Sequence, residues 1–256
     1  MTNSRLVYYR DLIRELVMRD IRIRYKRSAL GFAWTLANPL LYLVVFYFVF
    51  KLALDINIPR FGVFAFTGII AWGWFQSSLA QSAGAIVGSR ELVRTPGFSP
   101  VILPIVIVSS NLVQFVVALV VLLIYQLIVG TGIGLQVWPL PLLIALQFIL
   151  TLSVAYVIAA LNVVFRDVGH LVAVLLQLMF FMTPIFYDAS MIPDRFQTLY
   201  RLNPMVHFVE SYRNVLLNDT GLNWWPIAII SCFSILLLFV GRVLFVKLSY
   251  RFAEEI

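Results

Sequence analysis

The chain has 256 residues, of which 62% are hydrophobic and 12% charged, and its mean hydropathy is +0.95. Since a soluble domain carries roughly 25% charged residues, this composition excludes an ordinary water-soluble enzyme or binding domain. The 19 Lys and Arg exceed the 12 Asp and Glu, which in a membrane protein indicates cytoplasmic loops and anionic lipid rather than nucleic acid. At about 20 apolar residues for each membrane-crossing helix, the chain has room for about six spans and no large aqueous domain.

Residues 4–27 predict an amphipathic helix that lies in the membrane interface. On a helical wheel, Leu12, Ile13 and Leu16 share one side and charged residues lie opposite. Its basic tail is expected to extend among anionic headgroups. A simple cytoplasmic anchor and a docking element at the membrane surface both fit this pattern. The residues assigned to this surface are Arg14, Arg19, Arg22, Arg24, Tyr25, Lys26 and Arg27.

Six apolar segments follow, and they predict an all-α integral membrane protein that forms a single transmembrane domain over residues 1–256. The predicted spans are 33–54, 61–87, 101–129, 138–165, 171–187 and 226–248. Eight Lys and Arg lie in residues 1–32 and two more follow residue 246, whereas the third loop has none. Under the positive-inside rule both termini are therefore predicted to be cytoplasmic.

The segment 188–225 is predicted to face outward and to form two short helices before the last span. Its aromatic and aliphatic residues recur at helical spacing, with breaks at Pro193 and at Asn203-Pro204. Such helices can re-enter the bilayer only where protein or a water-filled cavity satisfies their exposed ends.

The stretch SRELVRTPGFSP, residues 89–100, is a charged connector between two long apolar runs. Ser89 is expected to cap a short helix from Arg90 to Thr95, and Pro96-Gly97 to end it. Residues 89–96 therefore predict a rigid stub of about two turns on the cytoplasmic side. A solvated turn that carries positive-inside charges is the simpler alternative.

Several kinds of chemistry are excluded by missing motifs. The only histidines, His170 and His207, cannot form an HExxH metal site, and no Gly-Lys pair exists for a phosphate-binding loop. A single cysteine, Cys232, excludes an intrachain disulfide. We therefore expect no metal and no cofactor in this chain. The middle of each predicted span lacks carboxylates, which disfavours a proton-coupled carrier, although unwound backbone carbonyls can also bind ions.

Aromatic rings and small polar residues cluster in the first two predicted spans. Ring faces stack on the C–H faces of sugars, and amides and hydroxyls bond sugar hydroxyls, so this mixture favours a pathway for a glycan. An aromatic belt at the membrane interface is the structural alternative. The candidate pathway residues are Trp34, Tyr42, Tyr47, Trp72, Trp74, Phe75 and Phe181.

The basic N-terminal helix, the six spans, the charged stub and the stretch PIFYDASMIPDRFQTLYRLNPMVHFVESYRNVLLN together resemble the ABC-2 type permeases that export polysaccharides. Within that family the chain is most similar to the O-antigen and teichoic acid exporters. The FRD triplet at 165–167 also resembles this subfamily. The resemblance extends over essentially the whole chain.

This resemblance implies a homodimer that works with two copies of a separate ATPase subunit, which binds the ATP and Mg. The translocation path would form between the two permease chains, and the N-terminal helix would flank its entrance. The residues implied to couple to the ATPase are Arg90, Glu91, Leu92, Val93, Arg94 and Pro96, with Arg166 and Asp167 in a second cytoplasmic turn. The implied outer gate comprises Tyr187, Pro193, Asn203, Pro204, Tyr212 and Arg213.

Three functions remain open on the sequence. The first is a non-enzymatic permease for a lipid-linked polysaccharide of O-antigen or teichoic acid type in the bacterial cytoplasmic (inner) membrane. The second is an ABC-2 exporter of a drug or a small lipid. The third is a membrane-embedded sugar transferase, which would need acidic metal-binding clusters, whereas the cytoplasmic loops offer only Glu91 and Asp167 outside the N-terminal helix.

Overall fold

A computed structural model describes residues 2–26, 28, 30–53, 58–128, 137–218 and 222–255. These ranges contain ten α-helices and no strand. The helices are α1 (Thr2–Tyr25), α2 (Trp34–Phe46), α3 (Phe61–Ala83), α4 (Arg90–Val93), α5 (Ile102–Ile128), α6 (Leu140–Val164), α7 (Val168–Phe181), α8 (Asp194–Arg201), α9 (Pro204–Arg213) and α10 (Trp224–Glu255). Three 3-10 turns, Gly31–Ala33, Val87–Ser89 and Ala189–Met191, and two π-helical segments, Tyr47–Ala53 and Asn214–Asn218, complete them.

Five of these helical segments are long and apolar enough to cross a membrane, which confirms the predicted all-α integral membrane protein. They are Trp34–Ala53, Phe61–Ala83, Ile102–Ile128, Leu140–Val164 and Trp224–Tyr250. The remaining apolar helix, α7, has 14 residues. At a rise of about 1.5 Å per residue it is about 21 Å long, shorter than the roughly 30 Å of hydrocarbon. The count of six spans and the re-entrant helices stay predictions.

Some predicted boundaries differ from the structure. The fifth apolar helix begins at Val168 rather than at residue 171 and ends at Phe181 rather than at residue 187. It stops there because Pro184 disfavours helical backbone in the residue before it. Likewise α3 ends at Ala83 instead of residue 87, whereas α10 continues past residue 248 to Glu255. Arg27 and residues 54 and 129, at the ends of predicted segments, lie outside the described residues.

Helix α3 is the centre of the bundle, since 78% of its most apolar 18-residue window is buried, whereas no residue of the corresponding window within 34–53 is buried. Two side-chain hydrogen bonds attach neighbouring helices to it in the apolar interior. The Trp74 indole donates to the carbonyl of Val108 in α5 at 3.2 Å. The Gln147 amide of α6 donates to the carbonyl of Ala71 at 2.9 Å. Buried polar groups of this kind are costly unless bonded, so these two bonds fix how α5 and α6 pack on α3.

The turns between helices lie at two opposite ends of the bundle. A Cβ added to Gly169, at the start of α7, would lie 3.8 Å from the Ala83 side chain at the end of α3. We call this end, which also carries α4, the α4 end. At the opposite end, the Gln126 amide of α5 donates to the carbonyl of Leu216 at 2.8 Å. We call that end the α9 end, because the segment Asn214–Asn218 directly follows α9.

Candidate functional site

A cavity of about 900 Å³ lies between the end of α1 and helices α2, α3, α5 and α7. Its wall combines aromatic rings with amide and hydroxyl groups. The aromatic side chains on this wall are Tyr25, Trp34, Tyr42, Phe46, Trp72, Trp74, Phe115, Phe180, Phe181 and Phe186. The amides and hydroxyls are Thr35, Asn38, Gln76, Ser77, Gln81, Asn111, Gln114 and Gln177. Such a wall offers both stacking faces and hydrogen-bonding groups to a polar chain.

Five of the seven predicted pathway residues line this cavity, namely Trp34, Tyr42, Trp72, Trp74 and Phe181. The other two lie elsewhere. Phe75 is buried in the core, and Tyr47 is exposed in the π-helical segment, where its ring lies 6.1 Å from that of Phe61. Trp74 also contributes to the core, because its ring stacks on Phe115 at 5.0 Å. The structure thus separates the aromatic residues that line the cavity from those that do not, a distinction that the sequence could not make.

Sequence reasoning missed the amides that α2, α5 and α7 contribute to the cavity. Asn38, Asn111, Gln114 and Gln177 all line it. Each lies in an otherwise apolar run, and polar residues at membrane depth usually face a bundle interior or a water-filled cavity. That rule was the available signal.

Arg24 also lines the cavity, so its side chain does not extend outward in the way that the headgroup prediction requires. Its guanidinium donates to Asn111 Oδ1 at 2.8 Å, to Gln81 Oε1 at 2.6 Å and to Asp20 Oδ2 at 2.8 Å. The side chain turns inward because Asp20 and Arg24 lie on the half-buried face of α1, and α3 and α5 present amide oxygens there. Nearby, the Tyr25 hydroxyl lies 3.0 Å from Thr35 Oγ1, which links α1 to α2.

The remaining described basic residues assigned to this helix lie on its exposed side. Arg14, Arg19, Arg22 and Lys26 are exposed. The alternation of half-buried and exposed residues along α1 agrees with the predicted amphipathic helix.

Helix α4 presents charge outward and apolar side chains inward. Arg90, Glu91 and Arg94 are exposed, whereas Leu92 and Val93 pack partly buried against the core. The expected cap is wrong, because Ser89 makes no side-chain hydrogen bond to α4. Residues 87–89 instead form a 3-10 turn, so the α-helical part has only four residues and ends before the exposed Pro96.

The second predicted turn, Arg166 and Asp167, lies at the α4 end and is exposed. Its geometry is fixed by the Asn162 side chain, whose Oδ1 accepts from the backbone N–H of Gly169 at 2.7 Å. A Cβ on Gly169 would lie 3.2 Å from that oxygen. Two charged turns therefore lie at the same end of the bundle.

Arg213 is the most buried charged side chain in the described part of the chain, at 4% exposure. Its Nη2 donates to the carbonyl of Ile185 at 2.8 Å, and both Nε and Nη2 donate to the carbonyl of Phe64 at 3.2 Å. The guanidinium carbon lies 3.3 Å from the centre of the Phe64 ring, a cation–π contact. Burial lowers the pKa of Arg213 to about 9, so the group stays protonated at neutral pH.

A glycine makes this arrangement possible. Gly68 follows Phe64 by one helical turn, and the missing Cβ leaves the Phe64 carbonyl open to a second donor. A Cβ there would meet Arg213 Nη2 at 3.1 Å and the Ile185 backbone at 3.1 Å. Arg213 therefore holds the extended segment after α7 against α3.

The other predicted gate residues gather at the same end. Asn203 caps α9 by accepting from the N–H of Met205 at 3.0 Å and donates to Thr183 Oγ1 at 2.9 Å. Pro204 is the first residue of α9, and Pro193 precedes α8. The Tyr212 hydroxyl is buried and has no hydrogen-bond partner among the described residues, and this burial raises its pKa. The Tyr187 hydroxyl donates to the carbonyl of Phe181 at 2.9 Å.

A family model described as ABC-2 type transporter matches residues 11–217. The chain belongs to this family. It is 35% identical to the O-antigen export system permease protein RfbA of Klebsiella pneumoniae, over 97% of this chain and 96% of that protein. It is also 35% identical to RfbA of Myxococcus xanthus, over 98% and 97%. It is 24% identical to the polysialic acid transport protein KpsM of Escherichia coli, over 100% and 98%. The resemblance to ABC-2 type permeases is thereby confirmed.

Proposed function

We propose that this chain is the permease subunit of an ATP-driven exporter that moves a lipid-linked polysaccharide, of O-antigen or teichoic acid type, across the bacterial inner membrane. The cavity carries the proposal, since its aromatic and amide wall suits a sugar chain that must slide rather than bind tightly. The full-length similarity to O-antigen permeases supports this cargo over a drug or a small lipid. In the described residues no group of three His, Cys, Asp or Glu side chains could hold a metal ion, which gives a sugar transferase no support.

The transporter is proposed to be a homodimer. The segment 34–53 forms one wall of the cavity, yet no residue of its most apolar 18-residue window is buried within this chain. Its exposed apolar residues include Leu41, Tyr42 and Val44. A second copy that faces this wall would complete a pathway between the two chains.

Energy is proposed to enter at the α4 end, from two copies of a separate ATPase subunit that binds the ATP and Mg. Arg90, Glu91 and Arg94 would contact that subunit, because they are exposed on a stub whose Leu92 and Val93 are packed against the core. The two nucleotide states of the ATPase would contact the stub differently and so displace it. Because Leu92 and Val93 are packed against the core, this displacement would be transmitted to α3 and α5. Arg166, Asp167 and the solvent-facing side of α1 would add to this surface.

The orientation and the gate complete the proposal. The Lys and Arg distribution supports the proposal that the α4 end and both termini face the cytoplasm. The α9 end then faces outward, and Tyr187, Pro193, Asn203, Pro204, Tyr212 and Arg213 would close the pathway there.

Deletion of the gene tests the cargo. Surface polysaccharide, measured by immunoblot of whole cells, should disappear while lipid-linked glycan accumulates inside. Unchanged surface polysaccharide would contradict the proposed function and favour the drug or lipid exporter. Formation of a glycosylated product by the purified chain would favour the transferase.

Charge reversal tests the coupling surface. Glu91→Arg and Arg94→Glu should each reduce the ATPase subunit that co-purifies with the permease, by about tenfold if roughly 1.4 kcal/mol of binding free energy is lost. Arg195→Glu is the matched control, because Arg195 is exposed at the start of α8, at the opposite end. Full co-purification of both α4 variants would exclude the coupling role.

A further inference from the structure

Arg24 is the one charged side chain among the described residues that line the cavity. It lies at the α4 end, because its partner Gln81 is two residues from the end of α3. Its side chain is 23% exposed, so the guanidinium is partly buried and still accessible from the cavity. A single accessible cation in a wall of rings and amides is a candidate site for an anion.

The guanidinium has donors to spare. Three of its five N–H groups are used, on Asp20, Gln81 and Asn111. Within the described part of the chain, Nε and the second N–H of Nη1 make no hydrogen bond. Gln114 Nε2, on the same cavity wall, is also buried without a partner there. A ligand with several acceptor oxygens would satisfy the two free N–H groups of Arg24.

The ion pair with Asp20 is exchangeable. Its Nη2···Oδ2 distance is 2.8 Å, and the Asp20 side chain is 34% exposed, so this carboxylate can turn to solvent when another anion arrives. Arg binds phosphate through the same planar fork that it presents to a carboxylate. A phosphate that replaced Asp20 would find the same planar donors on Arg24.

The cavity is also polarised along its length. Gln81 of α3 lies at its α4 end with Arg24, whereas Phe180 and Phe181 are the last residues of α7 and Phe186 follows that helix. A ligand whose anionic group lies at one end, and whose sugar or apolar part extends along rings, matches this polarity. The ligand class is thus a phosphate ester rather than a free inorganic anion.

We propose that Arg24 binds the phosphate of a lipid-linked ligand at the α4 end of the cavity, with Asp20 as the counter-ion that the phosphate displaces. Identification of this ligand as the phosphate that joins the exported glycan to its lipid rests on the function proposed above. The alternative is a purely structural cluster that attaches α1 to α3 and α5.

Two substitutions separate these roles because they have opposite effects on binding. Arg24→Gln removes the cation and should weaken binding of a prenyl phosphate by about tenfold or more, the value of one charge-assisted hydrogen bond. Asp20→Asn removes the competing carboxylate and should strengthen binding. In a purely structural cluster, either change loosens α1 and neither strengthens binding.

The experiment titrates the purified full-length chain in detergent with citronellyl phosphate, followed by tryptophan fluorescence, since Trp34 and Trp72 line the cavity. Arg10→Gln is the matched control, because Arg10 has its own carboxylate partner, Asp11, on the exposed part of α1. Equal affinity of the wild type and Arg24→Gln, or weaker binding by Asp20→Asn, would overturn the proposal. Monodisperse gel filtration verifies that each variant is folded.

Further arms identify the source of the phosphate. Citronellol, which lacks the phosphate, should not bind in an Arg24-dependent way, and Arg24-dependent binding of citronellol would overturn the proposal. Short-chain phosphatidic acid tests a phospholipid headgroup, and displacement of citronellyl phosphate at equal concentration would assign the same phosphate site to bilayer lipid. If the gene deletion leaves surface polysaccharide unchanged while binding still depends on Arg24, the site stands and the proposed function fails. If the gene deletion abolishes surface polysaccharide but binding does not depend on Arg24, the proposed function stands and the phosphate site fails.

Discussion

Arg213 and Arg24 lie near opposite ends of α3, and the protein holds them in different ways. Arg213 is 4% exposed and donates only to the backbone carbonyls of Phe64 and Ile185 among the described residues. The Arg24 side chain is 23% exposed and donates to side-chain oxygens of Asp20, Gln81 and Asn111. Backbone carbonyls in a packed core cannot move away, whereas side chains at a cavity can.

This difference separates a structural role from a binding role. A buried cation whose partners are fixed contributes to stability, and its removal leaves those carbonyls without a donor. A partly exposed cation with exchangeable partners contributes little to stability, because its ion pair is screened by water. We therefore expect substitutions near Arg213 to change unfolding and substitutions of Arg24 to change binding.

The largest expected loss of stability is for Gly68→Val. Its Cβ would already lie 3.1 Å from Arg213 Nη2 and from the Ile185 backbone, and the two methyl groups of valine need further space. We expect a loss of about 3 kcal/mol, which lowers the thermal unfolding midpoint by roughly 6–12 °C. Gly62→Val is the control, because nothing lies within 4 Å of a Cβ there. Equal midpoints for the two variants would show that the contact at Gly68 is not tight.

Arg213→Ala should have the next largest effect. It removes the donor of the 2.8 Å bond to Ile185 and the contact with the Phe64 ring, and it leaves a cavity. Relief of the buried charge offsets part of this loss, so we expect about 2 kcal/mol, measured as a lower unfolding midpoint. Arg195→Ala, an exposed arginine in the first turn of α8, should leave the midpoint unchanged. A stable Arg213→Ala variant would mean that desolvation of the charge outweighs its contacts.

The sequence predicted the helical elements well, because their signals are local. Apolar runs located α5 and α6 within two residues of their observed bounds, and proline breaks predicted two short helices in the segment that contains α8 and α9. The cap at Ser89 was predicted wrongly, because the 3-10 turn at 87–89 places its hydroxyl out of reach of α4.

The cavity was only partly predictable, because the side that a ring faces in a membrane helix depends on tertiary contacts. Trp72 and Phe75 are neighbours in one helix with similar composition around them, yet only Trp72 lines the cavity. Arg24 was expected to extend among headgroups. Its amide partners could not be foreseen, because they are 57 and 87 residues away in the chain. Contacts at such separations leave no local pattern.

Asn203→Ala tests the α9 end at a position without charge. The change removes the cap on Met205 and the bond to Thr183 Oγ1. We expect a loss of about 1 kcal/mol, the usual cost of a lost cap. Asn203→Asp retains the cap acceptor and loses the bonds that Nδ2 donates to Thr183 Oγ1 and, at 3.4 Å, to the Met182 carbonyl, so its unfolding midpoint should lie between those of the wild type and the alanine variant. A midpoint for Asn203→Asp at or below that of Asn203→Ala would show that the bond to Thr183, and not the cap, matters here.

Arg24→Gln should have the smallest effect on stability. Its ion pair with Asp20 is partly exposed, and glutamine can still donate to Asn111 or Gln81, so we expect a loss below about 1 kcal/mol. The comparison of unfolding midpoints with those of Arg213→Ala therefore tests the two roles directly. A loss as large as that of Arg213→Ala would mean that Arg24 also holds helices together, since an exchangeable ion pair cannot contribute that much. A small loss, together with weaker binding of citronellyl phosphate, would instead assign the free energy of the Arg24 contacts to ligand binding.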